Sequence, residues 1–212
     1  MISTAEFKPL KILKNFQIES VTPIKFNYES RLKIVTYVPL DYVDKLTFEL
    51  GNAGAGRIGK YDLCSFRMKG LGTYRPLSGA KPFKGKTGKI SFTEEIRLEM
   101  ECEVKSADNV INALLENHPY EEVAYEIYKF GKRAKEPIIV KVRFAKLLKL
   151  NQLVSKIRKN TDAGDIALDM NIREIMLADC METDRNLELL AEKENCSLII
   201  SVFKNKIIFK KI

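Results

Sequence analysis

From Ile96 to Val104 the chain alternates strictly: Ile96, Leu98, Met100, Cys102 and Val104 are apolar, and Arg97, Glu99, Glu101 and Glu103 between them are charged. Side chains of a strand point to opposite faces in turn, so this period of two sets one face on a core and the other in water. The chain must therefore build a sheet that is covered on one side. Downstream, Ser106 can cap a helix whose Ala107, Val110, Ile111, Leu114 and Leu115 form one apolar stripe, and Pro119 stops it. Upstream, Leu32, Ile34, Thr36 and Val38 alternate with Lys33, Val35 and Tyr37 as a strand ended by Pro39. Asp41 is placed to cap a helix carrying Val43, Leu46, Leu50 and Ala53, which Gly51 or Gly54 can close. Tyr61 to Met68 reads as a second strand, and Val123, Tyr125 and Ile127 as a fourth. Strand, helix, strand, strand, helix, strand is the split βαβ order of a ferredoxin-like α+β domain, with both helices on one sheet face. The run through Gly70, Gly72, Pro76, Gly79, Pro82, Gly85 and Gly88 reads as a loop forming a hairpin arm.

A length of 212 residues exceeds one typical compact domain, and 45% hydrophobic content supports buried cores. The charged stretch Gly131 to Glu136 reads as a linker into a second unit. There Leu147, Leu148, Leu150, Leu153, Val154 and Ile157 suggest a helix, and Ile172 to Ala178 a buried strand. Thr183 is placed to cap a helix with Leu187, Leu190 and Ala191, and Leu198 to Phe203 and Lys206 to Phe209 read as strands joined by Lys204 and Asn205. The unit is a small αβαββ arrangement. No apolar run approaches the roughly 18 residues of a spanning helix. Residues 1 to 15, with Lys8, Lys11 and Lys14, lack the apolar core of a secretory signal, so a cytoplasmic protein without membrane association is expected. Cys64, Cys102, Cys180 and Cys196 stand far apart, which suits reduced, buried thiols. The net charge of +8 is diffuse, and its clusters at Lys81 to Lys89 and Lys204 to Lys211 lack interleaved aromatics, which argues against nucleic acid as a partner.

Gly54-Ala55-Gly56-Arg57-Ile58-Gly59 matches G-x-G-x-x-G, yet it follows a helix and enters a strand, the reverse of a dinucleotide fingerprint. It reads as a tight helix-to-strand turn, with an anion nest beside Arg57 and Lys60 as the alternative. His118 is the one histidine, so a site built from several imidazoles is excluded. It reads either as a helix C-terminal residue favoured by the dipole or, with Glu121 and Glu122, as part of an inter-subunit pocket or weak metal site. Asp179, Cys180, Glu182, Thr183 and Asp184 cluster at a strand-to-helix junction, where helix capping accounts for them.

Five separated motifs occur in order: Tyr37-Val38-Pro39; Ala53 to Gly59 continuing through Lys60-Tyr61-Asp62-Leu63-Cys64-Ser65-Phe66; Gly70-Leu71-Gly72-Thr73-Tyr74-Arg75-Pro76; Gly79-Ala80; and His118-Pro119-Tyr120-Glu121-Glu122. As a set they resemble the PII/CutA-like module inserted in the Nif-three-like family, also called the GTP cyclohydrolase 1 type 2 homologue family. Lys60 and Val123 depart from that pattern, where a polar amide and a proline are common. The resemblance implies three segments: 1–30 as the end of a first family half, 31–130 as the PII/CutA-like module, and 131–212 as a degraded second half. It implies ligand-binding roles for Gly54, Gly56, Arg57, Gly59, Tyr61, Cys64, Arg75, His118, Tyr120, Glu121 and Glu122. It also implies assembly as a homo-oligomer, a trimer or a multiple of it, with a small ligand at subunit junctions. The family's dinuclear metal centre needs several fixed ligands, and the histidine count leaves it without them, so no such centre is expected and no cofactor is named. The expectation is a non-catalytic regulatory or oligomerising relative. A divergent metal-dependent hydrolase of nucleotide or phosphoester substrates, and a nucleic-acid or protein adaptor, are the alternatives.

Overall fold

The computed structural model describes residues 7–158, 170–180, 185–203 and 206–212. The chain divides into two compact units, Glu29–Lys132 and a second built from Met1–Tyr28 with Arg133–Ile212. Two long strands, β1 (Ile18–Pro39) and β4 (Tyr125–Lys149), give one segment to each unit. Gly131 to Glu136, expected as a linker, is instead the middle of β4. Charge does not force it into a loop because an extended backbone still gives two of the cations partners: Lys132 pairs with Glu101, and the Arg133 guanidinium lies 4.3 Å from the centroid of the Phe26 ring.

The unit Glu29–Lys132 has the strand order β2-β3-β1-β4, with β2 Phe66–Tyr74 and β3 Ser91–Glu103. β3 is antiparallel to β1, from Arg31 opposite Glu103 to Pro39 opposite Glu95, and antiparallel to β2, from Phe66 opposite Glu99 to Tyr74 opposite Ser91. Ile96, Leu98, Met100 and Cys102 of β3 join Ile34 and Val38 of β1 on the face covered by α1 (Val43–Asn52) and α2 (Ala107–Asn117). Leu46 and Leu50 of α1 and Val110 and Leu114 of α2 close that core, each exposed by 1% or less. The ferredoxin-like expectation is met in order and in the placing of both helices.

Local expectations moved where backbone chemistry differed from pattern. The second strand begins at Phe66 rather than Tyr61, because Ile58 and Tyr61 bond each other across a turn and Leu63 takes φ 50, which no strand tolerates. It then runs on through Gly70 and Gly72, which the sequence placed in a loop. Asp41 caps nothing: it sits inside a 3₁₀ turn, Leu40–Tyr42, and α1 starts beyond it without a side-chain cap. Ser106 does occupy the cap position of α2 but makes no capping bond.

In the other unit the order is β1-β4-β5-β6-β7, with β5 Asn171–Ala178, β6 Leu198–Phe203 and β7 Lys206–Lys211. β5 and β6 are parallel, and both pair antiparallel on their other sides. Ile175 and Leu177 pack with Phe144, α3 (Leu150–Arg158) and the turn Lys8–Leu13; Met176 and Ala178 pack with α4 (Arg185–Lys193). A strand covered on both faces loses its polar alternation, which is why Ile175 to Ala178 is continuously apolar. Leu147 and Leu148 end β4 rather than start the helix, beside an irregularity in pairing between Arg143 and Leu148. The cap expected at Thr183 and the junction at Lys204 and Asn205 lie outside the described residues, as do Glu182 and Asp184. Among the described residues no helix is long and apolar enough to cross a membrane.

Candidate functional site

The unit Glu29–Lys132 carries a cleft of about 750 Å³ on the sheet face away from its helices. Its floor follows from register. Phe66, Met68, Gly70, Gly72 and Tyr74 alternate onto that face of β2, opposite Glu99, Arg97, Glu95, Thr93 and Ser91 of β3. The two glycines take away the side chains that would fill it. A Cβ on Gly70 would meet nothing within 4 Å, whereas one on Gly72 would fall 2.2 Å from Oε2 of Glu95. Gly70 thus leaves space open, and Gly72 makes room for a carboxylate to lie across the strand.

The wall is the arm between β2 and β3, with Pro76, Pro82 and Phe83 in the lining. The arm is held by its own bonds: Tyr74 donates its hydroxyl to the Lys84 carbonyl at 2.8 Å, and the Gly88 amide donates to the Pro76 carbonyl at 2.8 Å. The Lys81 amide donates to Oε1 of Glu121 at 2.8 Å, fastening the arm to the loop after α2. Phe83 packs edge-on against Tyr42 and tilted against Tyr120, with centroids 5.7 and 5.8 Å away.

Tyr120 donates its hydroxyl to Oε1 of Glu95 at 2.6 Å, which fixes that carboxylate in the cleft. Burial, and then Glu95, push the phenol well above the usual tyrosine range, so it stays a donor. Behind it stands His118, 7% exposed, its ring 4.9 Å from that of Tyr120. The Tyr120 amide donates to Nδ1 of His118 at 3.2 Å, which leaves Nε2 to carry the proton and donate to the Tyr37 carbonyl at 3.1 Å. The imidazole therefore joins β1 to the 118–122 loop as a neutral group, and burial lowers its pKa against the opposing pull of the Tyr37 carbonyl. His118 does stand at the C-terminal cap of α2, as one of its two readings had it, and its burial favours the neutral ring there. Because the folded pKa lies below the ordinary 6.5, the unfolded chain binds the proton more tightly. The contribution of His118 to stability falls as pH drops below about 6.5 and levels off beneath its folded pKa. As the one histidine, His118 gives a single ring-proton NMR titration, whose midpoint should lie below 6.5; a midpoint above it would contradict the geometry.

Beside the cleft the same sheet face carries an ion lattice. Arg97 donates Nε to Glu99 at 2.8 Å and a terminal nitrogen to the Tyr37 hydroxyl at 2.7 Å, and Lys33 reaches Glu99 at 2.8 Å. Bonds from Lys33 and Arg97 hold the Glu99 carboxyl below its usual range.

The residues expected to bind a ligand are divided by the structure. Arg75, Tyr120, Glu121 and Glu122 line the cleft, and His118 supports it from behind. Gly54, Gly56, Arg57, Gly59, Tyr61 and Cys64 do not line it. Their loop carries positive φ at Gly54, Gly56 and Gly59, and its amides are engaged: Gly56 donates to the Glu101 carbonyl at 2.7 Å, Ile58 to Tyr61 at 2.9 Å, and Cys64 to Gly56 at 2.8 Å. Ala55 bridges Cys102, so the loop continues the sheet edge beyond the first residue of β2. Arg57 offers its carbonyl to Arg31, and Tyr61 is 74% exposed. An anion nest needs free amides, and the Gly56 and Ile58 amides are already taken. Sequence reasoning missed Tyr37, Met68, Phe83, Glu95 and Arg97 of the lining. Their signal was the glycine pair two apart, which on a strand leaves one face open. Among the described residues no group of three or more His, Cys, Asp or Glu is gathered as metal ligands would be.

Fold and cleft together define a ferredoxin-like α+β module with a ligand-sized pocket, joined to a second α/β unit. Comparison with known proteins gives the kinship. Over 96 residues, 45% of this chain, it is 48% identical to the GTP cyclohydrolase 1 type 2 homolog of Bacillus subtilis, and over 100 residues, 47% of it, 43% identical to that of Halalkalibacterium halodurans. A solved Bacillus cereus protein related to NIF3 superposes with a TM-score of 0.60 over 95% of this chain and 56% of its own, at 21% identity. No protein-family model matches. The chain is a relative of the Nif3-like, GTP cyclohydrolase 1 type 2 homolog family, and it spans 26% and 27% of the length of those two curated relatives.

Proposed function

We propose that this chain is a non-catalytic Nif3-like relative whose module binds a small ligand in the cleft and assembles as a homo-oligomer, a trimer or a multiple of it, in the cytoplasm. The observation that carries the reading is the glycine-floored cleft: an apolar slot of about 750 Å³ with a few fixed polar groups is the usual form of a small-molecule site. The 48% identity over 96 residues supports a role kept from the family. Ligand roles are assigned here to Arg75, Tyr120, Glu121 and Glu122, with His118 positioning Tyr120. Self-association is supported by exposed apolar side chains on the β2 and β3 hairpin, Phe66, Leu71 and Phe92, each at least 61% exposed. β2 also lies at the edge of its sheet.

The kinship also favours a second reading, a divergent metal-dependent hydrolase. Light scattering coupled to size exclusion, with elemental analysis of the same peak, separates the two. A metal-free trimer is expected. A peak carrying near-stoichiometric metal would sink the non-catalytic reading and support the hydrolase.

A further inference from the structure

Glu95 is the carboxylate that the cleft holds in place without using it up. One oxygen accepts the Tyr120 hydroxyl at 2.6 Å; among the described residues the other accepts no hydrogen bond and lies against the backbone of Gly72. A carboxylate held beside an apolar slot is matched by a ligand that brings both charge and N–H donors.

The rings around it favour the same sign. Tyr37, Tyr74, Phe83 and Tyr120 line the cleft, and aromatic faces attract cations. Two of these rings already hold a cation of the chain itself, Arg97 at 5.6 Å from the Tyr37 centroid and Lys84 at 5.9 Å from that of Phe83. The cations of the lining offer an anion less. Arg97 is taken up by Glu99 and the Tyr37 hydroxyl, and Lys69 and Arg75 are exposed to water, which screens them.

Building on the reading of the cleft as a ligand site, we infer that its ligand class is a small organic cation, an amine or amidinium on a flat or apolar body, anchored by Glu95. The body lies over Gly70, where the floor is open, and the charged end meets the free oxygen of Glu95 above Gly72.

Three probes of one shape and different charge test this on the unmodified protein: benzamidinium, benzyl alcohol and benzoate, titrated with amide NMR as the readout. Benzamidinium should bind at least about tenfold more tightly than either of the others, and Glu95→Gln should remove that preference. Gly70→Leu, which fills the floor, should weaken every probe. Benzoate binding as tightly as benzamidinium, or a preference unchanged in Glu95→Gln, would overturn the cation inference while Gly70→Leu still marked the cleft as a ligand site. No binding by any probe, or binding indifferent to Gly70→Leu, would overturn the cleft reading together with it.

Discussion

Replacing Gly56 by valine is expected to destabilise the unit Glu29–Lys132 by about 2–5 kcal/mol. The residue sits at φ +70, where an L side chain costs about 1–2 kcal/mol. A Cβ there would fall 2.6 Å from the Met100 methyl, 2.9 Å from the Cys64 carbonyl oxygen and 3.0 Å from the Cys64 nitrogen. The methyl can swing aside, but the backbone of Cys64 is itself bonded to the Gly56 carbonyl and cannot, so overpacking adds about 1–3 kcal/mol. Urea unfolding followed by circular dichroism reads the loss as a lowered midpoint. Gly70→Ala is the internal control, because its Cβ meets open space and its backbone is ordinary strand; it should change stability by less than about 1 kcal/mol. Equal midpoints for Gly56→Val and Gly70→Ala would contradict the account of the glycine loop as a backbone device.

Phe144→Ala should cost about 3–5 kcal/mol in the other unit. The ring is fully buried among Val142, Leu153, Ile175 and Leu177, and it packs against Phe16 at 5.9 Å between centroids. Its removal opens a cavity walled by strands and a helix that can close only partly. The same urea titration measures it, and a loss below about 1 kcal/mol would mean that the ring is not part of a packed core.

The sequence was most legible where one physical constraint acted alone. The alternation from Ile96 was legible because one of its faces meets a core, and the structure buries Ile96, Leu98, Met100 and Cys102. Val104, counted with them, falls past the end of the strand and is exposed, and the opposite face holds Glu99 and Glu101 half-buried in ion pairs. Ile175 to Ala178 was legible as a buried strand for the complementary reason, cover on both faces. Gly131 to Glu136 was not, because charge and glycine suggest a loop when the cross-strand partners, Glu101 and Phe26, lie far away in sequence. The site was half legible. Tyr120, Glu121 and Glu122 followed from a motif, whereas Glu95 and Arg97 belong to the charged face of a strand, whose ordinary meaning is solvation. Only the register that sets Glu95 against Gly70, and the room made for it at Gly72, turn that face into a cleft.

The most direct test of the central claim is amide chemical-shift mapping of the whole chain with a mixed set of small fragments, cationic, neutral and anionic. The account predicts shifts at Gly70, Leu71, Gly72 and Glu121 for the fragments that bind, and their loss in Gly70→Leu. Shifts confined to the loop Gly54 to Gly59, with the cleft amides unmoved, would contradict it and return the search for a ligand to the glycine turn.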